Sequence, residues 1–364
     1  MGIFLVGMVL MVVISGFGVF YLTKAIGKFG WIQRLSGENR RKNRSISAAL
    51  LLGFLALFTA LLSFLDAVVI LLHILFFFLA FGPLCRWIER KNGQGKIYRQ
   101  AWLALAAAGV YLLLGYYQCV HVRKTEYTLS TEKPLETLRI AVLADAHIGA
   151  TFDGAGFASH VRTIRQQAPD LILIPGDFVD ESTKYSDLLT ACEALAEAAP
   201  KYGVWFAYGN HDKGYLNRRD FSPVKLAQTL KENGIHILED EVAQLGKLCI
   251  VGRQDAGVRS RRDLSELLEG IPADSYIIVL DHQPTDYENE AATAADLVVS
   301  GHTHGGQMIP LNLIGEWFGG NNRSYGYERR SGTDFVVTSG ISDWVLHFKT
   351  GTHSEYVLLT VTAP

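Results

Sequence analysis

Two hydrophobic rhythms divide the chain. In the first third the apolar runs are long and free of charge: Ile3 to Leu22, Ile46 to Leu84 broken at Ser63 and Asp66, and Ala101 to Val120. A helix crosses the hydrocarbon of a bilayer in about 20 residues. The runs therefore predict four spans, at about 3–22, 46–64, 66–84 and 101–120. They are apolar on every face and closely spaced, unlike the one-sided helices of a soluble domain. From residue 137 the apolar runs shrink to strand length: Leu138–Ala144, Leu171–Pro175, Val204–Tyr208, Ile277–Leu280 and Leu297–Ser300. Helical stretches near Phe157–Gln167, Ser186–Ala198, Val224–Asn233 and Ser265–Leu268 separate the earlier ones. Further strands are expected around Val242–Val251, Phe335–Thr338 and Tyr356–Val361. The organisation predicted is a membrane domain over 1–122, a linker over 123–136, and an α/β domain over 137–364.

Charge follows the same division. To Ser130 there are 14 Lys and Arg against 4 Asp and Glu; the remainder holds 20 against 32. Basic residues cluster in the first connection (Lys24, Lys28, Arg34, Arg40, Arg41, Lys42, Arg44) and in the third (Arg86, Arg90, Lys91, Lys96, Arg99). Cytoplasmic loops carry such an excess, which would put both connections inside and leave the C-terminal domain outside a plasma membrane. Asp66 reads as the marker of a turn at the water interface, and His73 as a packing residue. The acidic balance of the second domain argues against a nucleic-acid backbone as partner. Cys85, Cys119, Cys192 and Cys249 show no metal or disulfide spacing and are expected as buried thiols.

The chemistry sits where strands end. Asp145-Ala146-His147 follows the first strand, and Gly176-Asp177-Phe178-Val179-Asp180 the second. Gly209-Asn210-His211-Asp212 follows the third, Asp281-His282 the fourth, and Gly301-His302-Thr303-His304-Gly305-Gly306-Gln307 the fifth. Open α/β sheets place their sites at the carboxyl ends of strands. One such motif would be an ordinary turn. Five in succession collect carboxylate, amide and imidazole donors of the kind that hold two metal ions. Hard oxygen mixed with imidazole, and no thiolate, suits Mn²⁺, Fe or Zn²⁺ better than Mg²⁺. Two ions about 3.5–4 Å apart can share a hydroxide and clamp a phosphoryl group for in-line attack.

Over roughly residues 137–361 the chain resembles the calcineurin-like metallophosphoesterases, and most closely their membrane-associated bacterial subgroup, whose last motif reads GHTHGGQ. The resemblance implies a two-sheet sandwich flanked by helices and a binuclear centre. One ion would be held by Asp145, His147, Asp177 and His304. The other would be held by Asp177, Asn210, His282 and His302, with Asp177 bridging. His211 would be the catalytic histidine, giving a proton to the leaving alkoxide. It needs an orienting carboxylate, for which Asp180 is the first candidate and Asp212 the second.

The expected function is hydrolysis of a phosphodiester, pyrophosphate or lipid-linked phosphate by a membrane-anchored enzyme; a non-catalytic sensor of a phosphorylated ligand is the alternative. Asp255 reads as a residue behind the site or a surface turn, and Arg253 as a phosphate clamp or, more simply, an exposed arginine. His160, His236, His347 and His353 have no partner motif. The apolar stretches Met308–Phe318 and Trp344–Phe348 read first as core packing, with acceptance of a lipid as the second reading.

Overall fold

The computed structural model describes residues 2–92, 98–214, 218–309, 315–317 and 320–363, with the side chains of 2–11 and 92 left out. The side chains over the first half of the first expected span, together with Lys96, Pro310–Ile314 and Phe318, therefore lie outside the described residues. The chain divides into two compact units, Met1–Tyr116 with Val345–His347, and Tyr117–Trp344 with Phe348–Pro364.

The first unit is helical: α1 (Gly2–Ile26), α2 (Gly30–Ser36), α3 (Arg40–Leu61), α4 (Phe64–Asn92) and α5 (Arg99–Val120). Helices α3, α4 and α5 are each long and apolar enough to cross a membrane. Val12–Ile26 and α2 form a pair bent by 81°, which makes a fourth crossing if the pair is one span. Asn39 starts α3 by accepting the Lys42 N–H at 3.0 Å. Ser63 starts α4, where its hydroxyl accepts the Asp66 N–H at 3.0 Å and donates to the Asp66 carboxylate at 2.7 Å. Asp66 is buried, and its carboxylate also accepts the main-chain N–H of His347 at 2.9 Å.

The second unit is a sandwich. Its first sheet runs in the order β1-β12-β2-β3-β4-β5. These are β1 (Arg123–Ser130), β2 (Leu138–Val142), β3 (Leu171–Pro175), β4 (Val204–Ala207), β5 (Ile235–Leu238) and β12 (Glu355–Thr362). The second sheet runs β10-β11-β9-β8-β7-β6. Its members are β6 (Glu241–Leu245), β7 (Leu248–Gly252), β8 (Tyr276–Leu280), β9 (Leu297–Ser300), β10 (Gly326–Arg330) and β11 (Thr333–Val337). In the first sheet β2 to β5 are parallel, and in the second β7, β8, β9 and β11 are. Helices α6 (Gly154–Arg165), α7 (Tyr185–Ala198) and α8 (Pro223–Glu232) connect the first set, and α9 (Leu264–Leu267) and α10 (Tyr287–Ala291) the second.

Side chains alternate across a strand. One face of each sheet meets the other sheet through Ile140, Val142, Leu171, Leu173, Ile250, Ile278 and Val299. The opposite faces meet helices: Ala141, Ile172, Ile174 and Phe206 on one side, Val251, Ile277, Val279 and Val298 on the other. Both faces of these strands are buried, so they read as unbroken apolar runs.

Three sequence expectations need correction. Residues 123–130 are not linker but β1, paired in parallel with β12 along its whole length. Their inward positions Thr125, Tyr127 and Leu129 alternate with charged ones, a strand pattern concealed by its low hydrophobicity. The single strand expected over Val242–Val251 is a hairpin of β6 and β7, because Gly246 takes φ 66° and reverses the chain. Strands β5 and β10 went unread because each is short or charged. All four cysteines are buried and free.

Candidate metal centre

The five motif loops leave the ends of β2, β3, β4, β8 and β9. To aim their side chains inward they adopt backbone that ordinary residues avoid. Asp145 (φ 53°), His147 (φ 35°), Asp177 (φ 52°), His302 (φ 68°) and His304 (φ 48°) all lie in the left-handed region. Such conformations cost on the order of 1–3 kcal/mol each and persist where surrounding structure imposes them. Glycines make room. A Cβ on Gly209 would stand 2.2 Å from Asp177 Oδ1, and one on Gly301 would stand 2.7 Å from Asp145 Oδ2.

The donors form two groups, Asp145 with His147 and His304, and Asp177 with His282 and His302; within each, one ligand atom per residue lies within 4.8 Å of the others. Asp177 faces both groups. Its Oδ2 is 3.1 Å from His282 Nε2 and 3.7 Å from His147 Nε2, while Oδ1 accepts the His211 N–H at 2.8 Å. Asn210 Oδ1 is 3.1 Å from His282 Nε2. Both carboxylate oxygens of Asp145 accept the His302 N–H at 3.0 Å. The ring of His211 lies 5.2 Å from that of His147 and 4.7 Å from the indole of Trp344.

These residues fit a cation. His147 is fully buried, yet among the described residues neither of its ring nitrogens makes a hydrogen bond. Buried polar atoms are costly unless satisfied, and a metal ion is what a carboxylate–imidazole cluster is built to receive. Burial pushes His147 down to about 4 and His302 to about 3, and drives His304 well below its usual value. Burial also lifts Asp145 to about 7, with the charge of Asp177 adding to the rise. His282 is different: burial lowers it, but Asp177 and Asp145 hold it up at about 10. Burial raises Asp177, yet His282 and His147 keep it below the usual carboxylate range. Imidazoles bind metal when deprotonated. His147, His302 and His304 are thus ready as ligands, and His282 must release a proton.

The two candidate orienting carboxylates each have further partners. Asp212 is buried and its oxygens accept four main-chain N–H groups, from Asp177 (2.8 Å), Phe178 (2.9 Å), Val179 (3.1 Å) and Gly209 (2.7 Å). It ties the loops after β3 and β4 together. Asp180 accepts both the N–H and the hydroxyl of Ser182 at 2.7 Å and faces His147 Nδ1 at 3.8 Å.

Arg253 is neither exposed nor a phosphate clamp. It is buried among Asp281, Asp286 and Glu290, with Nη1 at 2.8–3.2 Å from each. Asp255 accepts from Gln283 at 2.6 Å and so braces the loop carrying His282. The expectation of core packing for the late apolar stretches fails at Ile309, Trp317 and Trp344, which are 50%, 71% and 45% exposed. It holds at Met308 and Phe348, which are buried.

Sequence reasoning missed a further residue at this centre. Asp343 lies 3.7 Å from His304 Nδ1. The signal was present, since Thr338-Ser339-Gly340 after β11 is a sixth strand end of small residues.

The family model of calcineurin-like phosphoesterases matches residues 138–306, the stretch that carries all five motifs. A transmembrane protein with metallophosphoesterase domain from Danio rerio is 30% identical over 284 residues, covering 70% of this chain and 63% of that protein. The protein so described in Bos taurus is 27% identical over 248 residues, covering 63% and 54%. An uncharacterized metallophosphoesterase of Aquifex aeolicus is 31% identical over 211 residues, covering 54% of this chain and 77% of the relative. The chain thus spans less than two thirds of the length of either transmembrane relative. Matched in its motifs by the family and across most of a bacterial relative, the chain belongs to the calcineurin-like phosphoesterases.

Proposed function

We propose that the protein is a membrane-anchored phosphohydrolase that works with two divalent ions on a phosphodiester, a pyrophosphate or a lipid-linked phosphate. The observation that carries this reading is the meeting of two donor groups at one carboxylate, Asp177, between His147 and His282. Asp145, His147, Asp177 and His304 would hold one ion, and Asp177, Asn210, His282 and His302 the other. Carboxylate and amide oxygen with imidazole favours Mn²⁺, Fe or Zn²⁺. Divalent ions so held would neutralise phosphoryl charge and lower the pKa of bound water.

The chain's own residues do the rest. Asp177 fixes the main chain of His211 through its Oδ1, which aims the imidazole over the donor cluster. From there His211 delivers a proton to the leaving oxygen. Beside Asn210 a cleft of about 250 Å³, lined by Tyr208, Lys213, Glu239 and Asp255, has room for a leaving group. Trp344, against His211 and half exposed, offers that group an apolar face. Together with the exposed Ile309 and Trp317 it supports a substrate with a lipid part. The basic connections before α3 and after α4 support a plasma-membrane protein with its catalytic domain on the outer side. With the whole donor set and His211 in place, turnover is favoured over sensing alone.

Metal analysis of two variants tests this. Asp177→Asn should remove both bound metal and turnover. His211→Ala should keep its metal and lose about 10²–10⁴-fold in turnover, as for a missing general acid. Full metal content in the first, or metal loss in the second, would contradict the assignment.

A further inference from the structure

Behind the Nδ1 of three ligand-type imidazoles stands an oxygen. His282 Nδ1 is hydrogen-bonded to the carbonyl of Pro175 at 2.9 Å, while Asp180 at 3.8 Å from His147 Nδ1 and Asp343 Oδ1 at 3.7 Å from His304 Nδ1 stand just beyond hydrogen-bond reach. Metal-bound histidines regularly present their second nitrogen to such a group, which fixes ring orientation and tautomer.

Asp343 is unlike the other two groups in being buried with a cation. It is 2% exposed, and its Oδ1 is 2.9 Å from Nζ of Lys349, which is fully buried. Lys349 Nζ in turn donates to the carbonyl of Ser339 at 2.7 Å and reaches Ser354 Oγ at 3.4 Å. The loop is held from the other side, where the Asp343 N–H donates to Thr151 Oγ1 at 3.2 Å and the Ser342 N–H to the Asp145 carbonyl at 3.2 Å. Two hydrophobic residues in place of a buried ion pair are often at least as stable. Stability alone therefore gives no reason to keep a lysine and an aspartate here. Their placement against His304 does.

We propose that Asp343, held by Lys349, is a positioning residue for the metal centre: it accepts the Nδ1 proton of His304 and so presents Nε2 to a divalent ion. Lys349 supplies the countercharge that keeps the carboxylate turned to His304 and prevents it from swinging onto the ion as an extra ligand. The inference rests on the two-ion reading above and deepens it by assigning the outer partner of one ligand.

The test uses the full chain in detergent, stripped with EDTA and titrated with Mn²⁺ against a competing chelator. The variant is Asp343→Leu with Lys349→Met, which removes both charges together and leaves no unpaired lysine to upset folding. One of the two Mn²⁺ ions should bind about 10–100-fold more weakly, as for other lost outer partners of metal ligands. The second ion should keep its affinity, and the metal-free protein its unfolding temperature. Should the double variant not fold, Asp343→Asn keeps the shape and is expected to weaken the same ion in the same direction. Wild-type affinity for both ions in either folded variant overturns the proposal and leaves the metal centre standing. A wild-type chain that binds no Mn²⁺, Fe²⁺ or Zn²⁺ overturns the metal centre itself, and the positioning role with it.

Discussion

The helical unit and the sandwich use the same apolar residues in opposite ways. In α3 to α5 large apolar side chains face outward: Leu52 is 62% exposed, Phe76 62% and Leu113 69%. The polar Asp66 and Ser47 are buried. In the sandwich Ile140, Leu173 and Ile278 are fully buried, and a group of buried carboxylates and imidazoles stands at the strand ends, Asp145, His147, Asp177, His282 and His304 among them. An outward apolar face is stable only where the surroundings are themselves apolar. A buried cluster of carboxylates and imidazoles is stable only where a cation or hydrogen bonds answer it. The helical unit thus suits association with a membrane, and the donor groups of the sandwich suit a divalent ion.

Substitutions can break this contrast, and the largest effect is expected at Gly209. A Cβ there would stand 2.2 Å from Asp177 Oδ1 and 2.5 Å from its main-chain nitrogen. Gly209→Ala should displace the Asp177 carboxylate and lower turnover about 100-fold or more, since misplacement by about 1 Å costs that much. Unchanged steady-state rates would show that Asp177 does not need its present position.

Asp212→Asn comes next. It replaces one accepting oxygen by an N–H₂ that faces two buried main-chain N–H groups. At about 1–3 kcal/mol for each unmet group, the loss should be about 3 kcal/mol. Chemical unfolding of the full chain followed by tryptophan fluorescence reads it, and a loss below about 1 kcal/mol would deny Asp212 its role in joining the two loops.

The most comparative test is one substitution made in both units. Val110 in α5 is 59% exposed and Val224 in α8 is 78% exposed. Val224→Asp should change stability by no more than about 0.5 kcal/mol, and its place in the first turn of a helix even favours an anion. Val110→Asp should cost about 2.5–3.5 kcal/mol of membrane insertion. The fraction of each variant recovered in membranes measures this. Equal recovery would mean that α5 does not face lipid.

Much of this was legible in the residues. The long charge-free runs reveal helices, and the short ones reveal β2, β3, β4, β8 and β9, because buried parallel strands are continuously apolar. The donors were legible because four of the five motifs open from a Gly or Ala at a strand end, and the fifth, Asp281-His282, directly follows an apolar run. What escaped was carried by contacts rather than by local pattern. Strand β1 carries three charges in eight residues and is recognisable only through its pairing with β12. Arg253 looks exposed until Asp281, Asp286 and Glu290 are brought around it from β8 and α10. The four N–H groups that the Asp212 oxygens accept come from the loops after β3 and β4, and nothing local to Gly209-Asn210-His211-Asp212 announces them. Asp343 and Lys349 are six residues apart in an irregular segment, where no periodicity links them.

The central claim is that the buried donor cluster is a working centre for phosphoester hydrolysis. It is tested most directly by measuring the hydrolysis of bis-p-nitrophenyl phosphate and p-nitrophenyl phosphate by the full chain, after EDTA and again after Mn²⁺ is restored. The account predicts no cleavage without metal and recovery with it, with the diester cleaved faster than the monoester. Cleavage that persists in EDTA, or a chain carrying two ions that cleaves neither ester, would contradict it.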